Sequence, residues 1–268
     1  MTNLSFKGFK RMSLVEYPGK VCAIAFTGGC NFRCPWCYVK DLVLNYKLLP
    51  STDPEWALRF MGERKGWLDA IDVTGGEPTI NEGLPDFLRK AKKKGFLTGI
   101  ETNGSNPDMI NKLIRERLVN YIEMDVKAPL SDPKLYMKVV GQSQAGRLYA
   151  ENKGREDKKG KEGNRKTQGI EGRDVISNIR KSIQILRKSK IGYAFRTTVV
   201  PTLLAENDVV LIAKELRGAK KYYIQQFKPM DSIIDARMRK ITPYSSDALK
   251  EIKTKCGKYI KDVEIRGV

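Results

Sequence analysis

Val21-Cys-Ala-Ile-Ala-Phe-Thr-Gly-Gly-Cys-Asn-Phe-Arg-Cys-Pro-Trp-Cys-Tyr38 runs from an unbroken apolar segment straight into three cysteines, Cys30, Cys34 and Cys37, spaced C-x3-C-x2-C. The apolar part reads as a strand covered on both faces, as in a parallel sheet. Three thiolates within eight residues can hold one corner of an iron–sulfur cube. A [4Fe–4S] cluster normally takes four thiolates, so three leave one iron open to a substrate or cofactor. The alternative is a structural zinc site, which is closed by four ligands, often two C-x2-C pairs or added histidines. This chain has no histidine, and its other cysteines, Cys22 and Cys256, are isolated from each other and from the triplet. The cluster reading is therefore preferred to zinc.

Working outward, short apolar runs alternate with amphipathic stretches. Strands are predicted near Val21–Thr27, Ala70–Thr74, Phe96–Glu101, Tyr121–Asp125, Tyr193–Val199 and Lys221–Gln226. Helices are predicted near Pro54–Lys65, Leu84–Lys94, Pro107–Glu116, Val175–Lys188, Glu206–Leu216 and Ser245–Cys256. Asp53-Pro54 and Asn106-Pro107 each supply an N-cap followed by proline at the first helical position. Gly95 and Gly218 suit helix ends. Such β–α alternation implies a parallel sheet in one domain spanning residues 1–268. Cys22 is expected in the core and Cys256 on a helix face. The stretch 142–174 breaks the rhythm. It is basic and nearly devoid of apolar residues, so it cannot bury enough surface to offset its ordering entropy; it is read as a disordered or mobile insertion.

The chain has 268 residues, 50 Lys and Arg against 31 Asp and Glu, and a formal charge of +19. Such an excess attracts polyanions. The basic residues are nevertheless scattered over presumptive helix faces, as in Arg89-Lys-Ala-Lys-Lys-Lys94, without the interleaved aromatics of a nucleic-acid groove. Nucleic acid is thus possible but not favoured. The lack of histidine removes the usual general acid–base near neutral pH, which weighs against hydrolases and His-bound metals. No 18-residue apolar run or signal peptide is visible, so a soluble, cytoplasmic protein without membrane contact is expected. Clustered cysteines in a reducing compartment suit metal ligation better than disulfides.

Polar motifs follow the predicted strands, where α/β barrels place their chemistry. They are Thr74-Gly-Gly-Glu-Pro78, Glu101-Thr-Asn-Gly104, Asp125-Val-Lys127, Arg196-Thr-Thr-Val-Val-Pro201 and Gln225-Gln-Phe-Lys-Pro229. Gly75 and Gly76 permit close backbone approach to a ligand, and Glu77 adds a carboxylate. The cysteine triplet, the aromatic Trp36 before its last member and Thr74–Pro78 one β–α unit later together resemble the radical S-adenosylmethionine (SAM) superfamily. That resemblance implies a partial (β/α)6 TIM-like barrel and a [4Fe–4S] cluster on Cys30, Cys34 and Cys37, whose open iron chelates SAM. It implies that Gly75, Gly76 and Glu77 receive the amino group of SAM. Glu101, Asn103, Asp125, Lys127 and Arg196 would line the rest of the pocket, and no further side chain need act as acid or base.

Other stretches narrow the resemblance. Met12-Ser-Leu-Val-Glu-Tyr-Pro-Gly-Lys20, Met124-Asp-Val-Lys-Ala-Pro-Leu130, Phe195–Pro201, Tyr223–Pro229 and Val263-Glu-Ile-Arg-Gly267 look like the anaerobic ribonucleoside-triphosphate reductase activating proteins, a branch of the glycyl-radical-enzyme activases. The likeness spans nearly all of the chain outside 142–174. It implies a glycyl-radical enzyme as partner, a low-potential electron donor, and abstraction of hydrogen from a partner glycine. Tyr38-Val39 departs from the His-Asn common in that family. Two other readings stand beside this one: a radical SAM enzyme acting on a deazapurine-type small molecule or on RNA, and a non-enzymatic Fe–S or zinc module.

Overall fold

The computed structural model of the chain describes residues 4–142 and 172–268. Most of the expected basic insertion lies outside those residues. All six predicted strands are present, joined by two more, in one eight-stranded sheet whose spatial order follows the sequence. β1 (Phe6–Ser13) pairs antiparallel with β2 (Cys22–Thr27). β3 (Ala70–Gly75), β4 (Leu97–Thr102), β5 (Tyr121–Asp125), β6 (Gly192–Val199), β7 (Tyr222–Gln226) and β8 (Val263–Arg266) then follow in parallel. β1 and β8 are the two edges and do not pair with each other, so the barrel is partial.

Helices fill the crossovers: α1 (Lys40–Leu44), α2 (Pro54–Gly62), α3 (Leu84–Lys93), α4 (Pro107–Arg115), α5 (Pro133–Val139), α6 (Gly172–Lys188), α7 (Glu206–Glu215) and α8 (Ser246–Cys256). The expected caps form. Asp53 accepts from the Glu55 N–H at 3.0 Å, and Asn106 accepts from the Met109 N–H at 3.2 Å. The α3 stripe Leu84, Phe87, Leu88 and Ala91 is buried, following the 3.6-residue repeat. Among the described residues no helix is long and apolar enough to cross a membrane.

The two faces of the sheet have different cores. Outward strand residues such as Ala23, Ile71, Val73, Ile100, Ile122, Phe195 and Ile224 join the helices in the main hydrophobic cluster. A smaller cluster of Tyr17, Cys22, Ile24, Ala70, Tyr121, Ala194 and Tyr223 forms the floor of the barrel. Tyr17, from the turn after β1, closes it with its ring centroid 5.6 Å from that of Tyr121. Cys22 therefore sits in apolar surroundings that push its thiol up to about 12. Cys256 is buried on α8 with its thiol directed at the Val209 carbonyl, 3.8 Å away. Both are packing residues, as the sequence suggested.

Above this floor the lumen turns polar, and Asp72 marks the boundary. It is 1% exposed, and neither carboxylate oxygen has a hydrogen-bond partner among the described residues. Burial, reinforced by Glu101 and Glu123, raises its pKa well above the usual carboxylate range. The folded chain therefore keeps a proton that the unfolded chain releases near pH 4. The stability this proton confers is complete below that pH and is lost as pH rises toward the folded pKa. Asp72→Asn supplies a neutral isostere, so it is expected to gain stability over the parent as pH rises, by roughly 1–3 kcal/mol. Urea unfolding at pH 5 and pH 8 checks this; parallel pH profiles for the two proteins would refute it.

Candidate active site

Cys30, Cys34 and Cys37 lie on the loop between β2 and α1, at the carboxyl ends of the parallel strands. None is in a disulfide. The loop is pinned from several sides. Gly29 N–H donates to Leu42 O at 2.7 Å, and Arg33 N–H donates to Val140 O at 2.9 Å. From the segment after β7, Ile234 N–H donates to Cys37 O at 3.0 Å and Asp235 N–H donates to Pro35 O at 2.9 Å. Burial raises all three thiols, Cys30 to about 11. Lys127 opposes that effect at each of them. A cation bound there would displace the protons, since the thiolate is the ligand.

Gly75 and Gly76 dock the next loop onto this one. Gly75 has a φ of +108°, and a Cβ at Gly76 would stand 1.8 Å from the Gly29 carbonyl oxygen. Gly76 N–H donates to Thr27 O at 2.9 Å, and Glu77 N–H donates to Gly29 O at 2.8 Å. The glycines thus serve loop-to-loop contact in addition to any contact with a ligand.

Glu77 is 1% exposed and takes four donors from within the chain. Thr79 donates to its Oε1 through both N–H (3.1 Å) and hydroxyl (2.5 Å), and the Thr102 hydroxyl reaches the same oxygen at 2.6 Å. Asn103 N–H donates to Oε2 at 2.7 Å. Burial still lifts the carboxyl above its ordinary value despite these donors. Glu77 is thus a latch between the loops after β3 and β4. Asn103, 5% exposed, lies against the cysteine loop rather than in open space.

The remaining expected residues come together as one ion network. Arg196 Nε pairs with Asp125 Oδ1 at 2.7 Å, while its other nitrogens reach Glu101 at 3.0 Å and Glu123 at 2.6 Å. Lys127 Nζ pairs with Asp125 Oδ2 at 2.9 Å and lies 4.9 Å over the Trp36 ring. The aromatic residue before the third cysteine is thereby joined to the lumen charges. Burial alone would raise Asp125, but Arg196 and Lys127 hold it below the usual carboxylate range. Burial pushes Glu123 up to about 7, against the pull of Arg196.

Glu123 and Arg266, which pair at 2.9 Å, were not expected from sequence. The available signal was the alternation of Tyr121, Glu123 and Asp125 along β5, which puts all three on the lumen face. Tyr38 is 54% exposed beside Cys37.

The donor set fits a three-thiolate cluster. Among the described residues no three Cys, Asp or Glu side chains converge on a single-ion position. A cube offers a separate iron to each thiolate, so its ligands need no common point. Cys22 on the floor and Cys256 beneath α7 are committed elsewhere, so the local thiols number three.

Comparison with known proteins bears on this geometry. The sequence profile of the Radical SAM superfamily matches residues 24–150. A Methanocaldococcus jannaschii protein provisionally named a glycyl-radical enzyme activating enzyme is 30% identical over 263 residues, covering 97% of this chain and 95% of that protein. A 7-carboxy-7-deazaguanine synthase of Thermoplasma acidophilum is 32% identical over 114 residues, 42% of this chain and 50% of the synthase. The crystal structure of Streptococcus suis SuiB superposes with a TM-score of 0.60 at 12% identity, covering 91% of this chain. The chain spans about half the length of SuiB, 48%. TYW1 with a lysine–pyruvate adduct superposes with a TM-score of 0.54 at 15% identity, covering 88% of this chain and 73% of TYW1. At such identities the structural likenesses speak to fold alone.

Proposed function

The chain belongs to the radical SAM superfamily, and within it we propose a glycyl-radical-enzyme activase acting on a glycine of a partner protein, with anaerobic ribonucleoside-triphosphate reductase the first candidate. The observation that carries this reading is the likeness to the Methanocaldococcus protein along 97% of the chain. The likeness to the deazaguanine synthase is confined to 42% of the chain. That restricted match favours the second reading, a radical SAM enzyme acting on a small molecule.

Cys30, Cys34 and Cys37 would hold the [4Fe–4S] cluster. When bound and reduced, that cluster would supply the single electron for reductive cleavage of SAM into methionine and a 5′-deoxyadenosyl radical. The chain's own residues bind and orient. Glu101 spends only Oε2 on Thr74 and Arg196, at 3.3 and 3.0 Å, and leaves Oε1 without a donor among the described residues. That oxygen would accept a ribose hydroxyl. Asp125, which pairs with both Arg196 and Lys127, and Lys127 itself would present opposite charges to the ends of an amino acid moiety. The backbone of Gly75 and Gly76, with Glu77, whose Oε2 takes one donor, would receive the SAM amine. Low-dielectric walls strengthen each of these contacts.

The test is anaerobic: reconstitute and reduce the holoenzyme, add SAM, and measure 5′-deoxyadenosine and the electron paramagnetic resonance signal with and without a candidate reductase. Deoxyadenosine with a glycyl radical on the reductase is expected. Deoxyadenosine without that radical, but rising with a deazapurine precursor, would replace the activase reading by the small-molecule one.

A further inference from the structure

Asn103 is held in a single orientation. Its Oδ1 accepts from the Ser105 N–H at 2.9 Å, and since a backbone N–H can only donate, that contact fixes which end of the amide carries oxygen. Its Nδ2 then donates to Asn31 Oδ1 at 2.8 Å and stands 4.0 Å from Cys30 Sγ. Asn31 is fixed in turn, donating to Ser105 Oγ at 2.7 Å, while Gln142 donates to its carbonyl at 2.5 Å. A second donor, the Phe32 N–H, points at the same sulfur from 3.3 Å. The Asn103 backbone is anchored independently by Glu77 at 2.7 Å. Both amide groups of the pair are consumed inside the chain, one in the cysteine loop and one after β4.

We infer that Asn103, braced by Asn31 and Ser105, is a positioning residue for Cys30: it orients the thiolate and donates an N–H to its sulfur, raising the reduction potential of the metal group held there. The inference rests on the proposal that Cys30, Cys34 and Cys37 carry a cluster. An N–H donor stabilises the more negative, reduced state, and hydrogen bonds to ligating sulfur are one of the levers that set such potentials. Partners that orient a ligand also sustain metal affinity, typically by about 10–100-fold. The sequence assigned Asn103 to the SAM pocket; its side chain also lies beside Cys30.

Asn103→Asp keeps the acceptor for Ser105 and replaces the donor by a carboxylate oxygen. Asn31→Ala leaves Asn103 in place but unbraced. Each is reconstituted anaerobically, checked for fold by circular dichroism and for iron content, and titrated reductively without SAM. Asn103→Asp is expected to be harder to reduce, with about a tenfold change in the oxidised-to-reduced ratio at fixed poise, 59 mV for a one-electron couple. Asn31→Ala should shift the same way by less. A folded variant that fails to hold iron also supports the positioning role. Wild-type iron content and wild-type potential in both variants would overturn it, and if Asn103→Asp does not fold, Asn31→Ala decides alone. Wild-type protein that takes up no iron–sulfur cluster would instead defeat the proposed function, so the two failures are distinguishable.

Discussion

Cys34→Ala is expected to fold, to hold almost no iron after anaerobic reconstitution, and to lose SAM cleavage to background. Cys34 is the buried member of the triplet, and desolvation raises its thiol, with Lys127 as the first counterweight. Among the described residues its side chain makes no hydrogen bond on which the surrounding loop depends; the loop is held by backbone contacts to Leu42, Val140, Ile234 and Asp235. The iron-free variant should therefore unfold near the iron-free parent. With two thiolates remaining, neither Cys22 nor Cys256 can substitute, because Cys22 is buried in the barrel floor and Cys256 is buried on α8 with its thiol at the Val209 carbonyl. The loss of function should exceed the roughly 10–100-fold that removing a mere partner of a ligand costs. Iron and sulfide analysis decides the matter: a variant with parental iron and parental 5′-deoxyadenosine formation would remove Cys34 from the site. Zinc uptake without sulfide by the parent would return the triplet to a structural metal.

Arg196→Met is the second large effect, and it bears on folding as well as on activity. The guanidinium serves Glu101, Glu123 and Asp125 at once, and Glu123 is 1% exposed. Removing one partner of a buried ionic cluster leaves uncompensated charge and costs about 3–5 kcal/mol. The pH dependence has a definite sign. In the parent, Asp125 lies below its ordinary range, so its contribution is present above pH 4 and is lost as pH falls through its folded value. Without Arg196, burial is less opposed: Asp125 rises, and Glu123, already up at about 7 in the parent, rises further. The Glu123 contribution runs the other way, favourable at low pH and lost as pH rises. The variant should sit furthest below the parent at pH 8 and recover toward pH 5, as read by denaturant unfolding. Arg266→Met, which removes the 2.9 Å contact to Glu123 and the guanidinium over the Tyr223 ring, should cost less, because Glu123 keeps Arg196. Equal stability of Arg196→Met and parent at pH 8 would show that the network does not depend on this residue.

The strands that the sequence revealed are those buried on both faces. Cys22–Thr27 and Ala70–Gly75 read as apolar runs because helices cover one side and the lumen the other. β1 escaped notice because Lys10, Arg11 and Met12 are exposed on an edge strand, where an apolar run is not required. β8 escaped because four residues at the other edge carry too little pattern. The helix boundaries were legible where side chains signal them directly, at Asp53-Pro54 and Asn106-Pro107.

From sequence alone came the chemistry: three local thiolates without histidine, a glycine-rich loop one unit later, and polar residues at successive strand ends. These are properties of residue type and short spacing, which the chain states without folding. Which polar groups meet was decided only by the tertiary structure. Arg196 joins Glu101 and Asp125 because β4, β5 and β6 lie side by side in a register that brings residues 95 and 71 positions apart into contact. Glu77 and Asn103 take backbone and hydroxyl donors from their own and neighbouring loops, contacts that no short spacing announces. A buried polar group takes whatever partner its surroundings offer, and those surroundings exist only once the sheet has curled.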